Sequence, residues 1–510
     1  MSHQFWLSSH SFLVGEKGRL QHFVLESFDI ERQVNGIPGA SIALSFHHGG
    51  VRDHWQKTSE EVTLCKPGQH IAISISPDTA KGEVTLFQGV VTEQSVSAGH
   101  ASTTLHLRAS HLLHRLTDGP RYHVHTGSEK EALTRLLTAT GLSDVAIGAL
   151  AELDTSADND ERLIQWACSD WQWLRTRLHA HGAWLLPSVK GVKCVRPDLQ
   201  RALSEGPQHK VSAADGEAIL HCAWTFSNEG QPASEDGIAV RYWKEDEQAL
   251  SDNVFGRAVG IGSGALDGRK VVTKWPAMSG KPDPWMLRHS ANHFVKDAQA
   301  EADARLLARH ASAVGLRVKL LASIHTIAFN VGDALCVEGF GSALDGQGII
   351  TSIRHWWAKG VFETTVTIGL DGAGGVDAPL VPGASGLTIG IVAQSQRKEA
   401  RSDHHRVLVN VPLLDCSLWA RHAVPYASDG VGIRLPLEVG DEVVLAFLDE
   451  DPRYPVILGA THSQTRPAPT GDAATLTFAG DRDFVIGTEA GTVSIFASKI
   501  KLEKSEKGSH

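Results

Sequence analysis

Histidine is the residue type here most able to hold a metal or move a proton, and it recurs in close pairs: His47-His48, His123-x-His125, His179-x-His181 and His404-His405. A structural zinc site needs four convergent ligands. None of these pairs has Cys or His partners at a familiar spacing, so they are expected to be surface or interface histidines, and no metal is expected. The glycine-rich runs lack chemistry as well. Gly260-Ile-Gly-Ser-Gly264 does not have the spacing of a dinucleotide fingerprint, and no Lys-Ser/Thr follows it to cradle phosphate. In Val381-Pro-Gly-Ala-Ser-Gly386 the second glycine follows the serine directly, which rules out a nucleophile elbow. Acids gather from Asp154 to Glu161 and at Glu235-Asp236, as on solvated faces or helix starts. A glycosidase carboxylate pair is defined by separation in space, so sequence leaves that class open. No His-Glu-x-x-His occurs. The sequence therefore singles out no catalytic, cofactor-binding or metal-ligating residue, and the expectation is a protein without cofactors that is not an enzyme.

Composition narrows the classes further. A chain of 510 residues exceeds one core and is expected to hold three or four domains. Its 42% hydrophobic and 21% charged residues are ordinary for a globular protein. The formal net charge of −10 gives no basic excess to meet a phosphate backbone, so no nucleic-acid partner is expected. No stretch has the apolar length of a membrane span, and stable membrane insertion is not expected. The first ten residues lack a basic start, a sustained apolar run and a small-residue cleavage site. Synthesis and folding in the cytoplasm are expected, with any export by a route other than a signal peptide. The six cysteines, Cys65, Cys168, Cys194, Cys222, Cys336 and Cys416, include no Cys-x-x-Cys pair and are expected as buried thiols.

Strand patterns dominate the first 120 residues: Val24 to Ile30, Ala40 to Phe46, Ile71 to Ser76, Val84 to Thr92 and Thr103 to Ala109. The period then changes. Ser128-Glu-Lys-Glu131 reads as a capping box ahead of Leu133, Leu136 and Leu137, with Gly141 as the stop. A second helix is expected after Asp158-Asn-Asp-Glu161, with the stripe Leu163, Ala167, Trp171, Leu174 and Leu178, closed by Gly182. A third is expected from about Pro284 to Ala313, with Val295, Ala298, Ala302 and Leu306 on one face, a Glu301–Arg305 pair, and Arg309 and His310 complementing the dipole of the last turns. Strands return from Arg317 to Ile368, with turns expected at Asn330-Val-Gly-Asp333 and Gly346-Gln-Gly348. Asp371-Gly-Ala-Gly-Gly-Val-Asp-Ala-Pro379 is the clearest linker.

Between His405 and Ser463, five short runs recur at near-even spacing with Gly, Pro and Asp between them, the pattern of a small antiparallel barrel. Gly440-Asp441 suits a tight turn, and Asp451-Pro452 ends a strand because proline cannot donate to a ladder. Arg466-Pro-Ala-Pro-Thr-Gly471 is a second linker. Beyond it Thr475-Leu-Thr-Phe478, Phe484-Val-Ile486, Val493-Ser-Ile-Phe496 and Ile500-Lys-Leu502 are apolar strand segments. A meander that short cannot bury its apolar face alone, which argues for intertwining with other copies.

This order resembles the VgrG family, the spike of type VI secretion, and the hub-plus-needle proteins of contractile phages, here with a shortened C-terminal needle. The segment Pro436-Leu-Glu-Val-Gly-Asp-Glu-Val-Val-Leu-Ala-Phe-Leu-Asp-Glu-Asp-Pro-Arg-Tyr-Pro-Val-Ile-Leu-Gly459 carries the resemblance most specifically, and Asp160 to Gly182 carries it more weakly. The fold class implied is mainly β with inserted helices (α+β): strand-rich hub barrels, an OB-like small β-barrel and a short trimeric β-helical needle. The corresponding parts are a hub of two strand-rich modules at 1–372, a linker at 373–386, the barrel at 387–463 and the needle at 464–510. The partners implied are two further copies in a homotrimer, an inner-tube protein at the hub, a small tip-capping protein at the needle, and effectors or cargo. The resemblance also implies assembly into an injection particle that is then secreted or translocated. The rival expectation is a cell-wall or glycan-acting enzyme that uses the barrel as a binding module.

Overall fold

A computed structural model describes residues 12–14, 18–19, 23–47, 54–75, 84–99, 102–148, 163–215, 218–228, 237–271, 284–293, 295–323, 325–370, 383–395, 406–429, 431–433 and 435–470. The chain divides into two compact units, Met1–Ala460 and Thr461–His510. In the second unit only residues 461–470 are described. The expected needle strands from Thr475 onward, the linker 371–379 and the acidic runs 154–161 and 235–236 all lie outside the described residues.

Period-two alternation is realised in the hub. In Ser102–Ser110 the side chains of Thr103, Leu105, Leu107 and Ala109 are buried while their neighbours are not. That strand pairs with Gly39–His47 and with Val84–Ala98 in an antiparallel sheet that continues through Val24–Gln33. The two strand blocks that are distant in sequence meet there, since Gly346–Ala358 pairs with Val24–Gln33 in the register His355↔Ile30. Val361–Ile368, Val314–Leu321 and Ile219–Phe226 extend the sheet on the far side. The two strand blocks are thus joined edge to edge in one large sheet, beside three smaller sheets among the described residues, and two apolar cores lie along it. One gathers Phe28, Ile42, Leu44, Ile73 and Leu105; the other gathers Val318, Leu335, Ile350, Ile353 and Val366.

Among the described residues, five helices punctuate the strands: α1 (His54–Leu64), α2 (Glu129–Ala139), α3 (Asp170–Ala180), α4 (Leu199–Glu205) and α5 (Val295–Ala313). The Ser128 capping box forms as its sequence implies, with Glu131 N–H donating to Ser128 Oγ at 3.3 Å and Ser128 N–H to Glu131 Oε2 at 3.0 Å. Gly141 follows at φ 87°.

Several expectations need correction. α1 was not legible among the strand patterns. The expected helix through Leu163 and Ala167 is split: Leu163–Cys168 is a strand paired with Arg121–His125, and α3 starts at a second capping box, Ser169 with Gln172. Ser169 supplies a local cap that the backbone takes in preference to a longer helix. The helix expected from Pro284 starts instead at Val295, because Trp285–His289 pairs in parallel with Ile238–Lys244. Ala298, Ala302 and Leu306 are buried as expected, but Val295 is 61% exposed. Glu301 and Arg305 pair at 3.6 Å. His310 does not serve the helix dipole, since burial pushes its imidazole down to about 4 and keeps it neutral. Gly346-Gln-Gly348 is no turn but strand: a Cβ on Gly348 would meet Ile368 at 2.7 Å, so these glycines permit close packing.

The barrel closes from five strands, Thr388–Gln394, Arg406–Val411, Cys416–His422, Glu442–Phe447 and Pro455–Thr461. Val407, Val409 and Val411 alternate inward, and Ile457 is fully buried. Gly440 adopts φ 91° at the expected turn, where Glu438 N–H donates to Asp441 Oδ2 at 2.7 Å.

Candidate functional site

The barrel meets the hub through the turn joining its last two strands. Within Leu448–Glu450 both Asp449 (φ 54°) and Glu450 (φ 58°) are left-handed. Two such non-glycine residues in succession are strained and persist only where contacts hold them. Asp449 provides one hold: its Oδ2 accepts the N–H of Ser290 at 2.7 Å and of Ala291 at 2.9 Å, just past the strand Trp285–His289. Arg453 provides another. It donates to both oxygens of Asp451 at 2.7–3.1 Å and lies 3.6 Å from Asp297 in the first turn of α5. Burial opposes the charge on Asp451, but the Arg453 guanidinium prevails and holds the carboxyl below the usual carboxylate range. On a neighbouring face Arg406 and Arg421 each reach Glu245 at 3.3 Å. Trp166 sets its ring edge-on to Phe447 at 5.0 Å.

Beside this seam is a cleft of about 290 Å³, lined by Arg177, His181, His289, His293, Glu301 and Arg453 among others. Arg177 forms a bidentate pair with Glu129, one arm measuring 3.0 Å, and His181 Nε2 lies 3.3 Å from the same carboxylate. Burial disfavours the Glu129 anion, but Arg177 outweighs it and the acid is held far down. His289 donates from Nε2 to Glu301 Oε2 at 2.9 Å, while its Nδ1 stands 4.0 Å from Asp449 Oδ2. That hydrogen bond to Glu301 raises the imidazole above its ordinary value. The His293 ring sits 4.5 Å from that of His289, and its Nε2 is buried without a hydrogen-bond partner. Desolvation and the nearby His289 push His293 the other way, below its ordinary value. One ligand atom from each of His289, His293 and Asp449 lies within 4.8 Å of the other two.

Of the histidine pairs noticed in the sequence, His179-x-His181 lines this cleft, while His123-x-His125 lies elsewhere. His125 stacks on Trp173 at 4.0 Å and bonds Gln165 at 3.0 Å, with His123 edge-on to it. His181 joins the Glu129 pair, and His404-His405 lies outside the described residues. Gly262–Gly264 is a strand paired with Gly346–Gly348, where a Cβ on Gly262 would strike the Leu266 carbonyl at 1.9 Å, so that glycine run is structural. Cys65, Cys168 and Cys194 are buried and the other three cysteines half-buried, none of them in a disulfide. Sequence reasoning passed over His289 and His293. Their four-residue separation was the available signal, but the third group, Asp449, stands far along the chain.

The described residues thus form a strand-rich region with helical inserts, followed by a small closed barrel packed on it. The chain belongs to the family described as the Alg8 N-terminal domain, whose model matches residues 9–358, more than half of its length. Residues 388–462 match the type VI secretion system/phage-baseplate injector OB domain. Among solved structures it is similar to the E. coli c3393 protein, described as a component of the type VI secretion system with structural similarity to the T4 bacteriophage tail proteins gp27 and gp5. That likeness has 14% identity and a TM-score of 0.54, and covers 89% of this chain and 100% of that one. A chain of the Francisella PdpA-VgrG complex in its half-lidded form matches at 10% identity and a TM-score of 0.55, over 91% of this chain and 79% of that one. The lidless form matches at 9% identity and 0.55, over 89% and 85%. None of the curated proteins matches the sequence.

Proposed function

We propose that this chain is a non-catalytic hub and spike of a contractile injection apparatus, acting as a homotrimer. The observation that carries the reading is the order of matched parts, an N-terminal domain over 9–358 and then an injector OB domain over 388–462, on a fold similar to type VI and phage-tail proteins across nearly the whole chain. The hub docks on an inner-tube protein, and a small tip protein caps the assembly at its C-terminal side. Effectors or cargo travel with the tip as it pierces the target envelope. The chain folds in the cytoplasm and leaves as part of the particle.

The barrel surface supports association with further copies. Leu387, Ile389, Leu413, Tyr426, Val439 and Leu458 are between 43% and 67% exposed, a large apolar share for so small a domain. The two cores along one hub sheet support a matching role, in which three chains present six strand-rich modules to a six-fold tube. The test is the solution mass of the full-length protein and of a form lacking Asp472 to His510. The expected result is a three-chain mass that weakens or aggregates on truncation. A monodisperse full-length monomer at micromolar concentration overturns the reading.

A further inference from the structure

We propose that His289, His293 and Asp449 bind a divalent transition-metal ion that clamps the barrel turn to the hub. The three groups come from two modules: the histidines from the end of the Trp285–His289 strand and the loop after it, the carboxylate from the barrel turn. Their ligand atoms already lie within 4.8 Å of one another. A tetrahedral ion with bonds of about 2.1 Å sets its ligands about 3.4 Å apart, so the set must contract by roughly an ångström. A turn of one imidazole about its side-chain torsions supplies that.

Three further features point to an ion rather than to a simple polar seam. First, Glu301 accepts from His289 Nε2 at 2.9 Å, which leaves the Nδ1 lone pair for a ligand. Carboxylate–histidine–metal relays use this arrangement to fix the tautomer and strengthen the imidazole as a donor. Second, His293 Nε2 is buried without a partner. A buried polar nitrogen left unpaired is costly, and an ion would satisfy it. Third, Asp449 is held in a left-handed backbone, and its Oδ2, 4.0 Å from His289 Nδ1, is anchored by two amide donors, so the carboxylate is fixed beside the histidines. The charge of Asp449 and Glu301 balances a divalent ion, although Arg305 and Arg453 also border the cleft and lower the affinity. Two imidazoles and a carboxylate suit zinc, iron or cobalt and not magnesium or calcium, which prefer oxygen shells. His289 and His293 line the cleft, which gives water access to the remaining coordination position. Because the ligands bridge two modules, binding stabilises the docked barrel by mass action.

The experiment uses the full-length protein stripped with chelator and titrated with Co²⁺ as a spectroscopic probe, with thermal unfolding followed in Zn²⁺. The expected result is one equivalent per chain with visible d–d absorption and no near-ultraviolet thiolate band. The melting temperature should rise with Zn²⁺ and fall again on adding chelator. His293→Phe, which keeps the edge contact with Tyr454, and Asp449→Asn, which keeps an acceptor for Ser290 and Ala291, should each weaken binding at least tenfold. His123→Ala should leave it unchanged. If His293→Phe does not fold, His293→Gln takes its place. Absence of stoichiometric binding, binding undiminished in both variants, or a thiolate band from the cysteines overturns the proposal.

Discussion

The interior of the barrel and its attachment to the hub differ in their balance of forces: the first is apolar throughout, and the second adds a polar seam to apolar packing by Val124, Ile164 and Trp166. Inside, Val392, Val407, Val409, Val411, Leu418, Val443, Leu445 and Ile457 are nearly or fully buried, and each such side chain contributes about 1.5–3 kcal/mol by leaving water. At the seam, Arg453, Asp451, Asp297, Asp449, Glu301 and His289 meet as charges and hydrogen bonds. Charges taken from water repay little of their desolvation, so the seam adds orientation more than stability. The barrel's fold therefore rests on non-directional burial, whereas its pose on the hub combines directed polar contacts with the packing of Val124, Ile164 and Trp166 against the barrel core. The first tolerates changes of salt and pH; the second responds to them.

The largest effect is expected from putting a charge into the barrel. Val409 is fully buried with no cationic partner among the core residues around it, so Val409→Asp should cost on the order of 4 kcal/mol or more and unfold the barrel. Denaturant titration followed by barrel-specific hydrogen exchange measures this, and a loss below about 1 kcal/mol would break the contrast.

Removing a charge from the seam comes next. Only 18% of the Arg453 side chain is exposed, so Arg453→Met should cost roughly 3 kcal/mol by stranding Asp451, with the barrel itself still folded. Adding Asp451→Asn should recover part of the loss. If the double variant is no better than the single one, the cost lies in lost packing and not in stranded charge.

The hub sheet lies between these extremes, because its apolar interior hides His355, which is fully buried. Burial, with a smaller push from Arg32, lowers its imidazole to about 3, so the folded protein holds it neutral. The unfolded chain takes up that proton below its ordinary value of about 6.5. Stability is therefore complete above pH 6.5 and lost as the pH falls from there toward 3. At pH 5 the loss from this residue should be about 2 kcal/mol relative to neutral pH. Urea titrations at both pH values should show a shallower acid loss for His355→Phe than for the parent. Equal losses would show that His355 does not set the acid limb.

What could be read in advance divides along the same line. Four of the five barrel strands were legible between His405 and Ser463, helped by period-two alternation and the glycine turn at Gly440. The first, Thr388–Gln394, lies before that stretch, and the strand expected to stop at Asp451-Pro452 ends already at Phe447, ahead of the turn Leu448–Glu450. The capping box at Ser128 was likewise legible, since it spans only four residues, Ser128 to Glu131. The run from Leu163 misled because its apolar residues fit a helical stripe, while the decision lay with Arg121–His125, the strand it pairs with. Pro284 onward misled likewise, through its parallel partner Ile238–Lys244. The His289–His293–Asp449 cluster was beyond reach, because the aspartate belongs to another module.

The amino-acid sequence by itself determined the local terms of this protein: which segments alternate, which residues cap helices, where glycine and proline end strands, and that no familiar catalytic motif is present. Those depend on neighbours a few residues away and are written in the chain. Only the tertiary structure decided that the two strand blocks share one sheet through Val24–Gln33 and Gly346–Ala358, that Arg453 meets Asp297, and that two histidines face a carboxylate across the seam. These contacts join residues far apart in sequence, and their partners are chosen by the packing of whole modules, which no local pattern specifies.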